Sequence, residues 1–148
     1  MKIFLKAPVL AAALSVATLS VATLVTPALA DKRVEGKWQL DIPATIDAAR
    51  TSGVPVDQLG QLQANLTEMA KAFSMTFTGA RLEAIAGETT THCDWAWSKD
   101  DYLVPANCLD QKGKPNDLDP EREAIRMVGG NLQLINIPEG LALILRRP

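Results

Sequence analysis

The chain is poor in reactive side chains. It has one histidine, His92, and two cysteines, Cys93 and Cys108. A general base at His92 needs a nearby nucleophile or orienting carboxylate, and no motif supplies either, so the sequence reads as non-catalytic. No second histidine completes a zinc set, and the close C-x-x-C spacing of a catalytic thiol pair is absent. No cofactor motif is present. His92 therefore reads as an ordinary strand or edge residue. Basic side chains are scattered, without a cluster beyond pairs such as Arg146-Arg147, which argues against a nucleic-acid partner. Asp110, Asp117, Asp119 and Glu121 do crowd one stretch. The order NDLDPE lacks the central glycine and terminal bidentate glutamate of a calcium loop, so a solvated loop is expected there.

What is present begins with residues 1–30. Lys2 and Lys6 precede an apolar stretch from Ala7 to Val25, and Pro27-Ala28-Leu29-Ala30 places small residues where signal peptidase reads them. The reading is a cleaved export signal, with an uncleaved anchor as the alternative. Cleavage after Ala30 implies a periplasmic or secreted protein of bacterial type, without a stable membrane anchor, in a compartment where a disulfide persists. Removing Lys2 and Lys6 leaves 13 basic against 17 acidic side chains, a net charge of −4 for a domain running from Asp31 to Pro148. A domain of that size buries roughly two-thirds of its unfolded surface, enough for one modest core.

Hydrophobic periodicity organises the rest. Val34 to Asp41 alternates, with Val34, Gly36, Trp38 and Leu40 on one face, and predicts a first strand. Asp41 as a cap and Pro43 in a first turn predict a helix over 43–51. A second helix is predicted over 55–73, with Val56, Leu59, Leu62, Leu66, Met69, Ala70 and Phe73 as its apolar stripe. From Ser74 the period changes to two. Strands follow over about 74–78, 82–86, 89–98, 102–109, 122–128, 131–137 and 141–147, with a polar loop at 111–121. The expected fold is mainly β: a curved antiparallel sheet or small barrel of seven to eight strands, with two helices inserted after the first. Asn65-Leu66-Thr67 matches a glycosylation sequon but falls in mid-helix and is discounted.

Two hairpins have an arguable register. A Gly129-Gly130 loop pairs Met127 with Leu132 and Ile125 with Leu134. A two-residue Asp100-Asp101 loop pairs Trp97 with Val104, Trp95 with Ala106 and Cys93 with Cys108, so a structural disulfide is expected. A bulge near Pro105 would alter that detail without separating the cysteines.

The last strand is apolar on both faces, as Leu141-Ala142-Leu143-Ile144-Leu145 shows, and needs cover. The 55–73 helix is one candidate, and an oligomer or protein partner on Leu141, Leu143 and Leu145 is the other. Trp38, Met75, Phe77, Trp95, Trp97 and Met127 are the candidate lining of a ligand cavity, with a packed core as the alternative.

Gly36-Lys37-Trp38 on strand one, two short helices, an antiparallel meander and an apolar last strand ending in Arg146-Arg147 resemble the calycin superfamily of lipocalins and fatty-acid-binding proteins. The resemblance implies that Trp38 closes the barrel base, with Arg146 packed over its indole in a cation–π contact. It also implies non-catalytic binding of an apolar small molecule or lipid. A protein-interaction module, such as a periplasmic inhibitor or envelope-assembly factor, is the other function the sequence accommodates.

Overall fold

The computed structural model describes residues 31–116, 123–136 and 140–148. The export signal expected at 1–30, the loop residues Asp117, Asp119 and Glu121, and Ile137 lie outside the described residues. Eight antiparallel strands form a closed barrel in simple sequence order. They are β1 (Gly36–Leu40), β2 (Phe73–Thr78), β3 (Arg81–Ala86), β4 (Thr89–Trp97), β5 (Tyr102–Asp110), β6 (Glu123–Val128), β7 (Asn131–Asn136) and β8 (Leu141–Arg146). Two helices, α1 (Ile42–Thr51) and α2 (Val56–Ala70), lie between β1 and β2.

Strand alternation sets the interior. Trp38, Met75, Phe77, Leu82, Cys93, Trp95, Leu103, Ile125, Leu132 and Leu145 are all buried, and each lies two residues, or a multiple of two, from its inward neighbours on the same strand. The first strand is shorter than expected: 31–34 form a turn closed by Val34 N–H donating to the Asp31 carbonyl at 3.0 Å. Val34 is nonetheless fully buried.

Helix α1 starts where expected. The Asp41 carboxylate accepts the Ala44 N–H at 3.1 Å, and Pro43 sits in the first turn, where no backbone donor is needed. Its buried face is Thr45, Ile46 and Ala49. This face, more than α2, answers the question of what covers the last strand. Strands β1 and β8 pair only at Gln39↔Arg146 and Leu40↔Leu145. One residue further back, the Ile144 N–H donates to Thr45 Oγ1 at 2.9 Å and the Ile144 carbonyl accepts the Asp41 N–H at 2.8 Å. Helix α1 thus satisfies the β8 edge where the sheet pairing stops, and it covers the outward Ile144.

Helix α2 ends at Ala70, three residues early, because Phe73 belongs to the two-residue period of Met75 and Phe77. Leu59 and Leu66 are buried, and Leu62 packs beside them. Val56, expected on the stripe, is 79% exposed. Among the described residues no helix is long and apolar enough to cross a membrane.

The β6–β7 hairpin has the expected register, with Met127↔Leu132 and Ile125↔Leu134. Gly129 and Gly130 both take positive φ, 58° and 85°, as a tight two-residue turn requires. The β4–β5 hairpin corrects the expectation. Its loop has three residues, Lys99 to Asp101, closed by Ser98 N–H donating to the Tyr102 carbonyl, with Asp101 at φ 59°. Trp97 therefore pairs with Leu103 and Trp95 with Pro105, which turns Val104 outward, where it is 43% exposed. Further along, the register shifts between His92 and Asp94. The additional residue on β5 is Asn107, at φ 52°, a bulge that lies two residues from Pro105. It restores the register His92↔Leu109 and brings Cys93 against Cys108. Their disulfide joins Cα atoms 4.1 Å apart. Closing that loop stabilises the fold by about 3 kcal/mol in the chain-entropy account.

Candidate functional site

The barrel has two unlike ends. At the closed end the aromatic side chains form a solid plug. Phe77 and Trp95 meet edge-to-face with centroids 5.5 Å apart, and Trp95 meets Trp97 in the same way at 5.9 Å. Every indole N–H has an acceptor: Trp38 Nε1 donates to the Val34 carbonyl at 2.7 Å, Trp95 Nε1 to the Gly79 carbonyl at 2.9 Å, and Trp97 Nε1 to Asp31 Oδ2 at 2.9 Å. The Arg147 guanidinium lies 5.0 Å from the Trp38 ring centroid and donates to the carbonyls of Lys32 and Arg33. Arg33 stacks in turn on Trp97 at 4.7 Å and chelates the Asp31 carboxylate. Those Arg33 hydrogen bonds, reinforced by the Trp97 N–H, hold the Asp31 pKa down at about 2.

The cation over Trp38 is therefore Arg147, and Arg146 is corrected. The reason is register. Strands β7 and β8 pair as Leu132↔Leu145 and Asn136↔Leu141, one residue away from the alignment that a three-residue turn at 138–140 implies. Leu145 points inward, Arg146 points outward to within 3.6 Å of the Asp41 carboxylate, and Arg147 returns to the Trp38 side. A one-residue slip exchanges the two faces of a strand.

The open end is apolar and only partly filled. A cavity of about 400 Å³ lies between α2 and the barrel mouth, lined by Leu62, Leu66, Met69, Ile125, Leu141 and Leu143 among others. A second, of about 290 Å³, continues down the inner wall past Phe73, Met75, Leu82, Ala84, Thr91 and Cys108. Glu123, Ile125 and Leu134 line both. The space exists for two reasons. The inward positions of β3 and β4 near this end carry short side chains, Ala84, Ala86, Thr89 and Thr91, where the closed end carries indoles. Among the described residues, strands β5 and β6 pair only at Tyr102↔Arg126 and Leu103↔Ile125, so the wall parts towards the open end. There the outer edge of β5 is taken by 114–116, through a Leu109↔Pro115 bridge and the Asn116 N–H donating to the Cys108 carbonyl.

Of the six candidate lining residues, Met75 alone lies against these cavities. Trp38, Phe77 and Trp95 are 0%, 1% and 3% exposed in the plug at the other end. Trp97 joins that plug through its contacts with Trp95 and Asp31, and Met127 pairs there with the fully buried Leu132. Aromatic content marked the packed half of the barrel. The signal for the unfilled half was the run of short side chains on β3 and β4. Leu141 and Leu143 face this space from β8, and Leu145 is fully buried inside the barrel. None of the three presents a free outer surface, because outward positions on β8 alternate with them.

Each remaining candidate has a polar partner. His92 stands on the outer wall across from Glu83, with Nδ1 3.7 Å from its carboxylate. Asp110 accepts the backbone N–H groups of Lys112 and Lys114, which shapes the loop. Asn65 and Thr67 hydrogen-bond within α2 to Gln61 and Gln63. Among the described residues no group of three or more acidic, histidine or cysteine side chains is placed to hold a metal.

No protein-family model and no curated protein matches the chain. A crystal structure of a DUF4847 family protein from Bacteroides vulgatus ATCC 8482 is similar at 9% sequence identity, with 79% of this chain and 95% of that one covered and a TM-score of 0.47.

Proposed function

We propose that the protein is a non-catalytic binder of an apolar small molecule or lipid, held in the open end of the barrel beneath α2, and that it works outside the cytoplasm. The supporting observation is the continuous apolar lining from Leu66 and Met69 on α2, past Leu134, to Met75 and Ala84 on the inner wall. Cavities of some hundreds of cubic ångströms with mainly apolar walls and a few polar groups are the usual form of a small-molecule site. The export signal, the disulfide and the calycin-like order of elements are consistent with this role. The plug at the other end would keep solvent from entering the ligand space from below.

The test uses a neutral fluorophore, N-phenyl-1-naphthylamine, titrated into the folded protein. Saturable one-to-one enhancement is expected. Leu134→Trp should weaken it, because Leu134 borders both cavities and the larger indole takes up space where they meet. Its melting temperature should stay close to the parent's. Absence of saturable binding by the parent protein, or unchanged binding by a folded Leu134→Trp, rejects the reading.

A further inference from the structure

The polar groups of the cavity are not distributed at random. Among the described residues, Glu123 is the one charged residue lining either cavity, and it lines both. It stands exposed at the first position of β6, where the β5–β6 wall has parted. Among the described residues it forms no ion pair. Among the described residues, no lysine, arginine or histidine lines either space. A carboxylate accepts hydrogen bonds and donates none when ionised. Close by on the same inner wall, Asn116 donates an amide N–H to Thr91 Oγ1 at 2.8 Å, and its carbonyl oxygen is an acceptor by chemistry.

From these groups we infer that the preferred ligand is a single-chain amphiphile with a protonated amine head, seated with the amine at Glu123 and the chain beneath Leu62, Leu66 and Leu143. The inference rests on the binding function proposed above and goes further by naming the head group. An anionic head is disfavoured twice. It would face the negative charge of Glu123, and no cation among the described lining residues would meet it in exchange. An ammonium gains a charge-assisted hydrogen bond to Glu123, stronger than the bond a neutral hydroxyl makes. The rim position lets the head remain partly hydrated while the chain is buried.

The experiment compares decylamine, decanol and decanoate at pH 7 as displacers of N-phenyl-1-naphthylamine from the intact protein. Decylamine is expected to displace the fluorophore at a concentration about tenfold below that of decanoate, the size of one charge-assisted contact. Glu123→Gln should bring the two within about twofold. Decanoate equal to or better than decylamine overturns the inference, and so does an amine preference that survives in Glu123→Gln. Decylamine binding to Leu134→Trp at parental affinity, read by isothermal titration calorimetry, places the amine on the outer surface and also overturns it. In these cases the cavity still binds the fluorophore, so the broader function stands. Failure of the fluorophore to bind, or of all three compounds to displace it, removes the binding function itself.

Discussion

The two ends of the barrel share one sheet, one alternation rule and one disulfide, yet they are built oppositely. At the closed end, inward positions carry Trp38, Phe77, Trp95 and Leu145, and the 31–34 turn is pinned beneath them by Arg147 and Asp31. At the open end, the equivalent positions of β3 and β4 carry Ala84, Ala86, Thr89 and Thr91, and a helix lies across the gap. Side-chain volume and the parting of β5 from β6 together make one half a core and the other a container. The difference teaches that large aromatic residues in a small barrel mark where space has been filled, and that a run of small inward residues marks where it has been left.

The contrast predicts where a substitution costs stability and where it costs binding. The largest effect is expected at the plug. Trp38→Ala should lower unfolding free energy by about 3–5 kcal/mol in urea titration, because it removes a fully buried indole and leaves Arg147 without its ring. The surviving folded fraction should bind the fluorophore with unchanged affinity. A Trp38→Ala protein of parental stability and impaired binding would reverse the roles assigned to the two ends.

A smaller effect is expected on α2. Gly60 lies in mid-helix at ordinary φ, and a Cβ there meets nothing within 4 Å. Gly60→Ala should raise stability by about 0.5–1 kcal/mol in the same titration, through helix propensity. A destabilised Gly60→Ala would show that α2 needs flexibility or clearance at that point, which a rigid cover over the open end does not.

The smallest effect concerns acid. The Asp31 pKa falls from an ordinary 3.8 to about 2 in the folded state, chiefly through its hydrogen bonds from Arg33. A group with a depressed folded pKa stabilises the fold above its unfolded value, and that contribution disappears as pH falls through the folded one. The Asp31-dependent share of stability should therefore be complete near pH 5 and fade between about pH 4 and pH 2. Asp31→Asn should lower the melting temperature at pH 6 and have no effect at pH 2. Equal effects at both pH values would mean that the Arg33 and Trp97 contacts do not secure the closed end.

Much of the architecture was legible from periodicity. The change from period 3.6 to period two near Phe73, the Asp41-Ile42-Pro43 helix start, and the Gly129-Gly130 turn each depend on neighbours within a few residues. The site was less legible. Arg147 and not Arg146 meets Trp38 because of the β7–β8 register, and Val104 is outward because the Lys99–Asp101 loop has three residues in place of two. Each is a one-residue matter, and each exchanges the two faces of a strand. The cysteines escaped the same error only because the Asn107 bulge restores the alignment beyond Asp94.

By itself, the sequence determined that the chain forms an antiparallel β structure with two helices after its first strand, and that Cys93 and Cys108 are brought together. These follow from local periodicity, turn chemistry and the short separation of two hairpin strands. Only the tertiary structure decided that the sheet closes, that α1 satisfies the edge of β8 at Ile144, and that the aromatics fill one end and leave the other hollow. Those outcomes depend on contacts between residues as far apart as Thr45 and Ile144. Alternation along a strand says which side chains point inward, but not how much of the enclosed volume they fill together.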